Sequence, residues 1–506
     1  MKCQQRADVH GKTKTSVMES DKEILVEYHQ KYAAAKKRTC ILVTAIVTAI
    51  VLIVTAVCTL GVYFGVYYSP ENDKASIKPK SLMGQSCSDP CILNLVESIP
   101  DNLTFVKGAP LHSSTYEGIM SLMANAKETI EIASYYWTLN GQDLPFHDNS
   151  SWEGESILET LISSGRDKKI KIKIVQNKPK GRNNNTEALA KYAGAEVRTL
   201  DFDKLLGNGI IHTKMWLIDR KHFYVGSANL DWRSYTQVKE LGAVIYNCPC
   251  MAKDMGKLFD VYWYLGVPGT TVPSSWPSSY STDINSNTSM QIQYNGTAAT
   301  TYLSSSPPPF CPNGRTVDID AIVDVIHKAD KFVYIAVMDY FPTTQFSRPR
   351  KYWPVIDDAL RRAAFDRRIS VKLLISYWNN TWAEMPLYLK SLNVLKYSDY
   401  GVHTNIEVRM FVVPAFTESQ RKIPFARVNH NKYMVTDKTA YIGTSNWSGD
   451  YFIDTGGIGL IVNQNVTAEP GNVRKQLEDI FYRDWDSQYS TNIDHFNFTT
   501  KGHTEL

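Results

Sequence analysis

From about residue 112 the chain alternates between stretches with apolar positions at helical spacing and short continuous apolar runs. Tyr116–Ala126 and Ser156–Ser163 carry the helical spacing, and Ile130–Trp137 and Ile170–Val175 have the length and apolar content of strands. The same order restarts later with Ile319–Ala329 (helix), Phe332–Met338 (strand), Val355–Ala364 (helix) and Val371–Ser376 (strand). A Ser/Pro/Asn-rich stretch, Pro273–Pro309, separates the two series and is expected to be a connector. Ile132-Ala-Ser-Tyr-Tyr-Trp137 and Ile335-Ala-Val-Met-Asp-Tyr340 occupy matching places. The pattern predicts two α/β halves, 66–290 and 291–506, each a mixed β-sheet flanked by helices. A pseudo-two-fold axis would relate them, with a site at their seam.

The N-terminal pattern is different. Ile41–Phe64 is 24 residues without a charge, enough to span a bilayer, after a polar lead of 40. The length of that lead disfavours a cleaved signal peptide. Lys36-Lys37-Arg38 flank the run on its N-terminal side. A cytosolic tail (1–40) and a type II transmembrane anchor (41–65) are therefore expected, with the remainder lumenal. Nine N-x-Ser/Thr acceptors all follow the run. Eight are expected to carry glycans: Asn102, Asn149, Asn184, Asn287, Asn295, Asn379, Asn465 and Asn497. The ninth, Asn446, is better explained as an active-site residue.

His212-Thr-Lys214-Met-Trp-Leu-Ile-Asp219 recurs 218 residues later as His430-Asn-Lys432-Tyr-Met-Val-Thr-Asp437. Each copy leads to a glycine-headed turn ending in asparagine: Gly226-Ser-Ala-Asn229 and Gly443-Thr-Ser-Asn446. A single H-x-K-x4-D is weak evidence, since an isolated histidine is more often structural. A duplicated unit with nearly constant spacing is not easily structural. His and Lys at i and i+2 share one face of a strand. Imidazole can attack phosphorus or protonate a leaving oxygen, and lysine supplies fixed charge to the developing oxyanion. Asn229 and Asn446 add amide donors. Asp219 and Asp437 belong to the catalytic motif but are expected at strand ends, as orienters rather than reactants. Two lysines neutralise a phosphate without a metal, so neither a metal nor another cofactor is expected.

These two motifs are the signature of the phospholipase D superfamily, of which the chain is identified as a member. The resemblance is closer than the motif alone. Gly226-Ser-Ala-Asn-Leu-Asp-Trp-Arg-Ser-Tyr-Thr-Gln-Val-Lys-Glu-Leu-Gly242, Val428-Asn-His-Asn-Lys-Tyr-Met-Val435 and Gly443-Thr-Ser-Asn-Trp-Ser-Gly-Asp-Tyr-Phe452 resemble the phospholipase D3 and D4 group, over nearly all of the chain beyond about residue 87. The resemblance implies a membrane-anchored enzyme passing through endoplasmic reticulum and Golgi to the endosomal and lysosomal lumen. There it would act as a 5′-to-3′ exonuclease on ends of single-stranded DNA and RNA, through a phosphohistidine, and limit innate sensing of nucleic acid. It also marks Glu240 as a supporting residue, although the second copy has Gly457 at that offset. The sequence leaves the histidine roles open. The working expectation takes His430 as nucleophile and His212 as acid.

Cysteines and charge refine the picture. Cys87, Cys91, Cys248 and Cys250 have no usual zinc spacing and are expected to form two disulfides in an oxidising lumen. Cys311 is left as a buried thiol or a bridge in a homodimer. The tail carries nine Lys/Arg and five Asp/Glu, which leaves 46 of each sign in the remainder. That balance argues for a local cleft holding one strand end rather than a broad polyanion surface. Nine of the eleven histidines follow the span, so the lumenal part is expected to turn positive in acid. Tyr136, Tyr340 and Phe341 are candidate stacking platforms for bases. The alternative chemistry for the same residues is phospholipid hydrolysis or transphosphatidylation on lysophospholipids, such as bis(monoacylglycero)phosphate synthesis.

Overall fold

A computed structural model describes Thr48 and residues 85–397, 404–465 and 471–498. The chain forms two units, 1–81 and 82–506, and every described residue except Thr48 belongs to the second. The expected tail and anchor, with Cys3, Cys40 and Cys58, lie outside the described residues, Thr48 excepted. Among the described residues no helix is long and apolar enough to cross a membrane.

The fold is mixed α/β with two large sheets. The first contains β1 (Ile92–Ser98), β2 (Thr129–Ser134), β3 (Lys171–Asn177), β4 (Glu196–Leu200), β5 (Lys214–Ile218), β6 (His222–Gly226) and β7 (Glu240–Tyr246). Their spatial order is β1-β7-β6-β5-β2-β3-β4. The second contains β8 (Met290–Tyr294), β9 (Thr297–Ser306), β10 (Phe332–Val337), β11 (Ser370–Ser376), β12 (Ile406–Phe411), β13 (Lys432–Thr436), β14 (Thr439–Gly443), β15 (Gly457–Asn463) and β16 (Ser490–Asn492). Its order is β8-β9-β15-β14-β13-β10-β11-β12-β16, with the short strand Thr316–Val317 beside β9.

The two sheets repeat one topology. β9-β15-β14-β13-β10-β11-β12 matches β1-β7-β6-β5-β2-β3-β4 position by position. The directions match as well: β2–β3–β4 and β10–β11–β12 are parallel, and the remaining pairs in each series are antiparallel. Even the register is kept. Lys214 pairs with Ser134 at the end of β2, and Lys432 pairs with Val337 at the end of β10. β2 and β10, which lead the two parallel trios, are buried on both faces, which explains their near-continuous apolar runs.

One expectation fails here. The Ser/Pro/Asn-rich stretch Pro273–Pro309 is not only a connector, because its second part forms β8 and β9. In β8, Gln291 and Gln293 alternate with buried Met290, Ile292 and Tyr294, the period of a half-buried edge strand, whereas β9 lies inside the sheet and buries Thr301, Ser304, Ser305 and Ser306.

Helices cover the sheets at the predicted places. Thr115–Asn125 starts in a capping box, with Ser114 and Glu117 each satisfying the other's backbone N–H. Asp318–Lys328 buries Ala321, Ile322, Val325 and Ile326, one stripe at helical spacing. Fasteners tie the segment around β1 to the rest of the fold. Cys87–Cys250 and Cys91–Cys248 are disulfides that pin the N-terminal segment to the helix Pro249–Leu265. With their sulfurs so bonded, these four cysteines, the one metal-sized cluster among the described residues, have no thiolates to offer a metal. Arg483 of the last helix donates to both oxygens of Glu97 on β1 at 2.6 and 2.7 Å, fully buried. Cys311 is a free thiol beside the Ser305 carbonyl, pushed up to about 11 by burial.

Candidate active site

The two motif copies meet across the seam of the halves. Main-chain bridges form it: Ile211 runs parallel to Gly456, and Asn429 runs parallel to Lys239. In the next residues His212 N–H donates to the Gly456 carbonyl at 2.7 Å, and His430 N–H donates to the Lys239 carbonyl at 2.8 Å. Each histidine is thus placed by backbone from the opposite half. Each lysine folds back on its own histidine: Lys214 Nζ donates to the His212 carbonyl at 2.6 Å and Lys432 Nζ to the His430 carbonyl at 2.8 Å.

Both imidazoles open into one cavity of about 1000 Å³, whose walls include Asn229, Asn446, Glu240, Tyr135, Tyr136 and Tyr451. Two side-chain oxygens on these walls, Asn229 Oδ1 and Asn446 Oδ1, are buried without a protein partner. Asn446 Nδ2 donates to Asp339 at 3.3 Å and to the Tyr451 hydroxyl at 3.2 Å.

The Nδ1 partners break the symmetry. His212 Nδ1 faces the Thr444 carbonyl at 2.8 Å, whereas His430 Nδ1 faces the Glu240 carboxylate at 2.9 and 3.0 Å. Both contacts leave Nδ1 as the protonated nitrogen and Nε2 as the reactive one. The electrostatics differ accordingly. Burial, then Lys214, Lys432 and His430, hold His212 well below the ordinary imidazole range. Burial pulls His430 down to about 4, but Glu240 opposes it. Burial alone would raise Glu240, yet His430 and Lys432 outweigh it and keep the carboxyl low. Burial also lowers both lysines, Lys432 to about 7, with Glu240 and Asp339 pulling the other way. Such a site is short of negative charge to stabilise its ammonium groups, and a bound phosphate supplies it.

Other expected residues lie elsewhere. Asp219 accepts three backbone N–H bonds at 2.7 to 2.9 Å from Lys127, Glu128 and Thr129. Asp437 likewise accepts from Asp330 and Lys331 at 3.0 and 3.1 Å. These aspartates anchor the turns that start β2 and β10, so they are not reacting groups. Tyr340 and Phe341 are 1% and 3% exposed and sit in the core, Tyr340 donating to Asp357 at 2.8 Å, so they cannot stack on a base. Tyr136 does line the cavity, but its hydroxyl is committed to Asp231 at 2.9 Å. The histidines contribute less to the positive charge expected in acid than their number implies, because burial lowers His112, His212, His222 and His430 alike.

The sequence reading missed Asp339 and Tyr451. Asp339 occupies the place in the second half that Tyr136 holds in the first, and burial raises it to about 6. The Tyr451 and His212 rings meet edge to face, with centroids 5.0 Å apart. The matching strand ends already set Asp339 opposite Tyr136, but unlike residue types at the two places left no repeated motif to mark it. The eight expected glycan acceptors are exposed, while Asn446 is buried. Asn295 is exposed too, but its amide donates to the Leu93 carbonyl at 2.6 Å and is already occupied.

Known proteins bear on this geometry. The family described as PLD3/4, PLD-like domain matches residues 106–416. A Xenopus laevis protein named 5′-3′ exonuclease PLD3 is 51% identical over 407 residues, covering 80% of this chain and 81% of its own. The Homo sapiens protein of that name is 48% identical, covering 81% and 82%. The Mus musculus protein named 5′-3′ exonuclease PLD4 is 45% identical, covering 80% of each. Two histidines placed on one cavity by a repeated sheet, each with its lysine folded back on its carbonyl, and this similarity over four fifths of the length lead to one statement: the chain belongs to the PLD3/4 family of phospholipase D-like proteins.

Proposed function

We propose that this chain is a metal-independent 5′-to-3′ exonuclease on single-stranded DNA and RNA. The carrying observation is the pair of imidazoles, each flanked by a buried lysine, opening into one cavity. The names of its relatives support the substrate class. His212, surrounded by positive neighbours, stays neutral and offers Nε2 to phosphorus. His430, whose imidazolium Glu240 stabilises, protonates the departing 5′-oxygen. The roles expected from sequence are thereby exchanged, because the carboxylate pairs with His430. The phosphorus–oxygen bond to the leaving strand breaks as the phosphorus–Nε2 bond forms. Water activated by His430 then releases the 3′-phosphorylated nucleotide and restores His212. Lys214 and Lys432 hold the phosphoryl oxygens throughout.

The same reading places residues 1–40 in the cytosol, an anchor at 41–65, and the catalytic body in an acidic endosomal or lysosomal lumen, reached through endoplasmic reticulum and Golgi. The two disulfides and the exposed acceptor asparagines support an oxidising, glycosylating route. Phosphatidyl transfer to a lysophospholipid would use the same phosphoenzyme. Incubation of the purified protein at acidic pH with 5′-hydroxyl and 5′-phosphorylated oligonucleotides, and with lysophosphatidylglycerol, separates these chemistries. Stepwise shortening from the 5′ end, abolished by His430→Ala, is expected. Lipid turnover with intact oligonucleotides would refute the nuclease reading.

A further inference from the structure

The segment Thr417–Val428 of the second half reaches across the seam and is held there at several points. Arg233 Nε donates to the Pro424 carbonyl at 2.8 Å, and Arg427 N–H donates to the Gln237 carbonyl at 3.0 Å. Ile423 and Ala426 are buried against Trp232 of the first half. The Arg427 guanidinium donates to the Pro414 carbonyl at 2.6 and 3.0 Å, closing the loop on itself. Between these anchors stands Phe425. Its ring is 57% exposed and lines the cavity that holds both imidazoles. Its backbone lies at φ +58°, followed by Arg427 at +56°. A bulky aromatic residue in the left-handed region is a strained arrangement that persists only where surrounding contacts dictate it. Burial would reward an inward ring, and this one is held outward instead.

The same cavity has a second unsatisfied feature and a charge. Trp378 lines it, and its indole N–H is buried without an acceptor. Lys180, exposed, lines it from the first half. An aromatic face, an unused donor and a cation around one opening suit a strand of nucleic acid, whose bases offer flat faces and whose backbone offers phosphates and carbonyls.

Resting on the exonuclease reading, we propose that Phe425 is the platform on which a base beyond the second nucleotide stacks as the strand leaves the cavity. The platform is independent of base identity, because every base presents a π-face. Phe425 then serves as a positioning residue: it keeps the strand in place for the next cycle and touches no reacting atom.

The test compares the full-length protein and Phe425→Ala on octathymidylate and on a thymidine dinucleotide, which lacks the base that the proposal sets on the ring. Losing one stack raises KM for the octamer roughly tenfold. The octamer kcat and all dinucleotide constants stay unchanged, and Phe425→Trp restores the octamer KM. An unchanged octamer KM in Phe425→Ala would overturn the proposal. Equal losses on both substrates would also overturn it, since they mark a purely structural residue. If the wild-type protein degrades neither oligonucleotide, the exonuclease reading itself has failed. If it degrades both and Phe425→Ala is indistinguishable from it, only the platform has failed.

Discussion

Glu240 and His430 come from opposite halves of the repeat, yet the carboxylate lies 2.9 Å from His430 Nδ1. The equivalent position in the other half is Gly457, and His212 finds a main-chain carbonyl instead. A duplicated fold has in this way acquired two unlike imidazoles. Replacing Glu240 with Gln keeps the size and removes the charge that favours the imidazolium. Steady-state kinetics should show kcat lower by about 100-fold or more, with little change in KM. The alkaline limb of kcat should move to lower pH, since Glu240 raises the His430 pKa. A limb that stays in place would separate Glu240 from proton transfer.

Lys432, held down to about 7 by burial, is largely neutral above that pH when the cavity holds no anion. An anion favours its charged form, so binding takes up a proton. The Kd of orthovanadate should therefore rise with pH above 7, by about tenfold per unit where a single proton is linked. In Lys432→Met the affinity is weaker throughout and this rise disappears. A wild-type affinity independent of pH between 6 and 9 would exclude the linkage.

Whether a residue was legible in the sequence depends on what it touches. His212, Lys214, His430 and Lys432 were readable because their chemistry fixes residue type and spacing together. The strand series around Ile132 and Ile335 was readable because buried parallel strands leave long apolar runs. β8 and β9 were hidden, since a half-buried edge strand (Met290–Tyr294) and an interior strand that buries Ser and Thr (Thr297–Ser306) both resemble linker by composition. Tyr340 misled because a tyrosine just past the end of a strand looks the same whether its hydroxyl meets Asp357 or solvent. Phe425 left no periodic signal, because its position depends on contacts with residues nearly 200 positions away.

The seam depends on close main-chain approach at Gly209. It adopts φ +102°, and a Cβ there would lie 1.9 Å from the Asp454 carbonyl oxygen. Gly209 stands three residues before His212. Gly209→Ala should lower stability by about 2–4 kcal/mol in denaturant titration and reduce activity in parallel. Wild-type stability in this variant would show the seam to be looser than drawn.

Asp318 is fully buried, accepts from Ser304 at 2.6 Å and Tyr441 at 3.0 Å, and is raised by burial to about 6. Its folded pKa exceeds the unfolded value, so the folded state binds the extra proton. The resulting stability is complete below about 4 and is lost as pH rises through about 6. Relative to Asp318→Asn, the wild-type protein should therefore gain about 2 kcal/mol as the pH falls from 6 to 4. Parallel stability curves for the two proteins would contradict this assignment.

The central claim is that both histidines act on one phosphorus, with His212 forming the bond. It is tested most directly with His430→Ala and thymidine 3′-(4-nitrophenyl phosphate), whose leaving group departs without an acid. The account predicts a burst of one nitrophenolate per protein and a thymidine 3′-phosphoryl group on His212, found by mass spectrometry of the peptides. No burst, or an adduct on His430 in the matching His212→Ala protein, would contradict it.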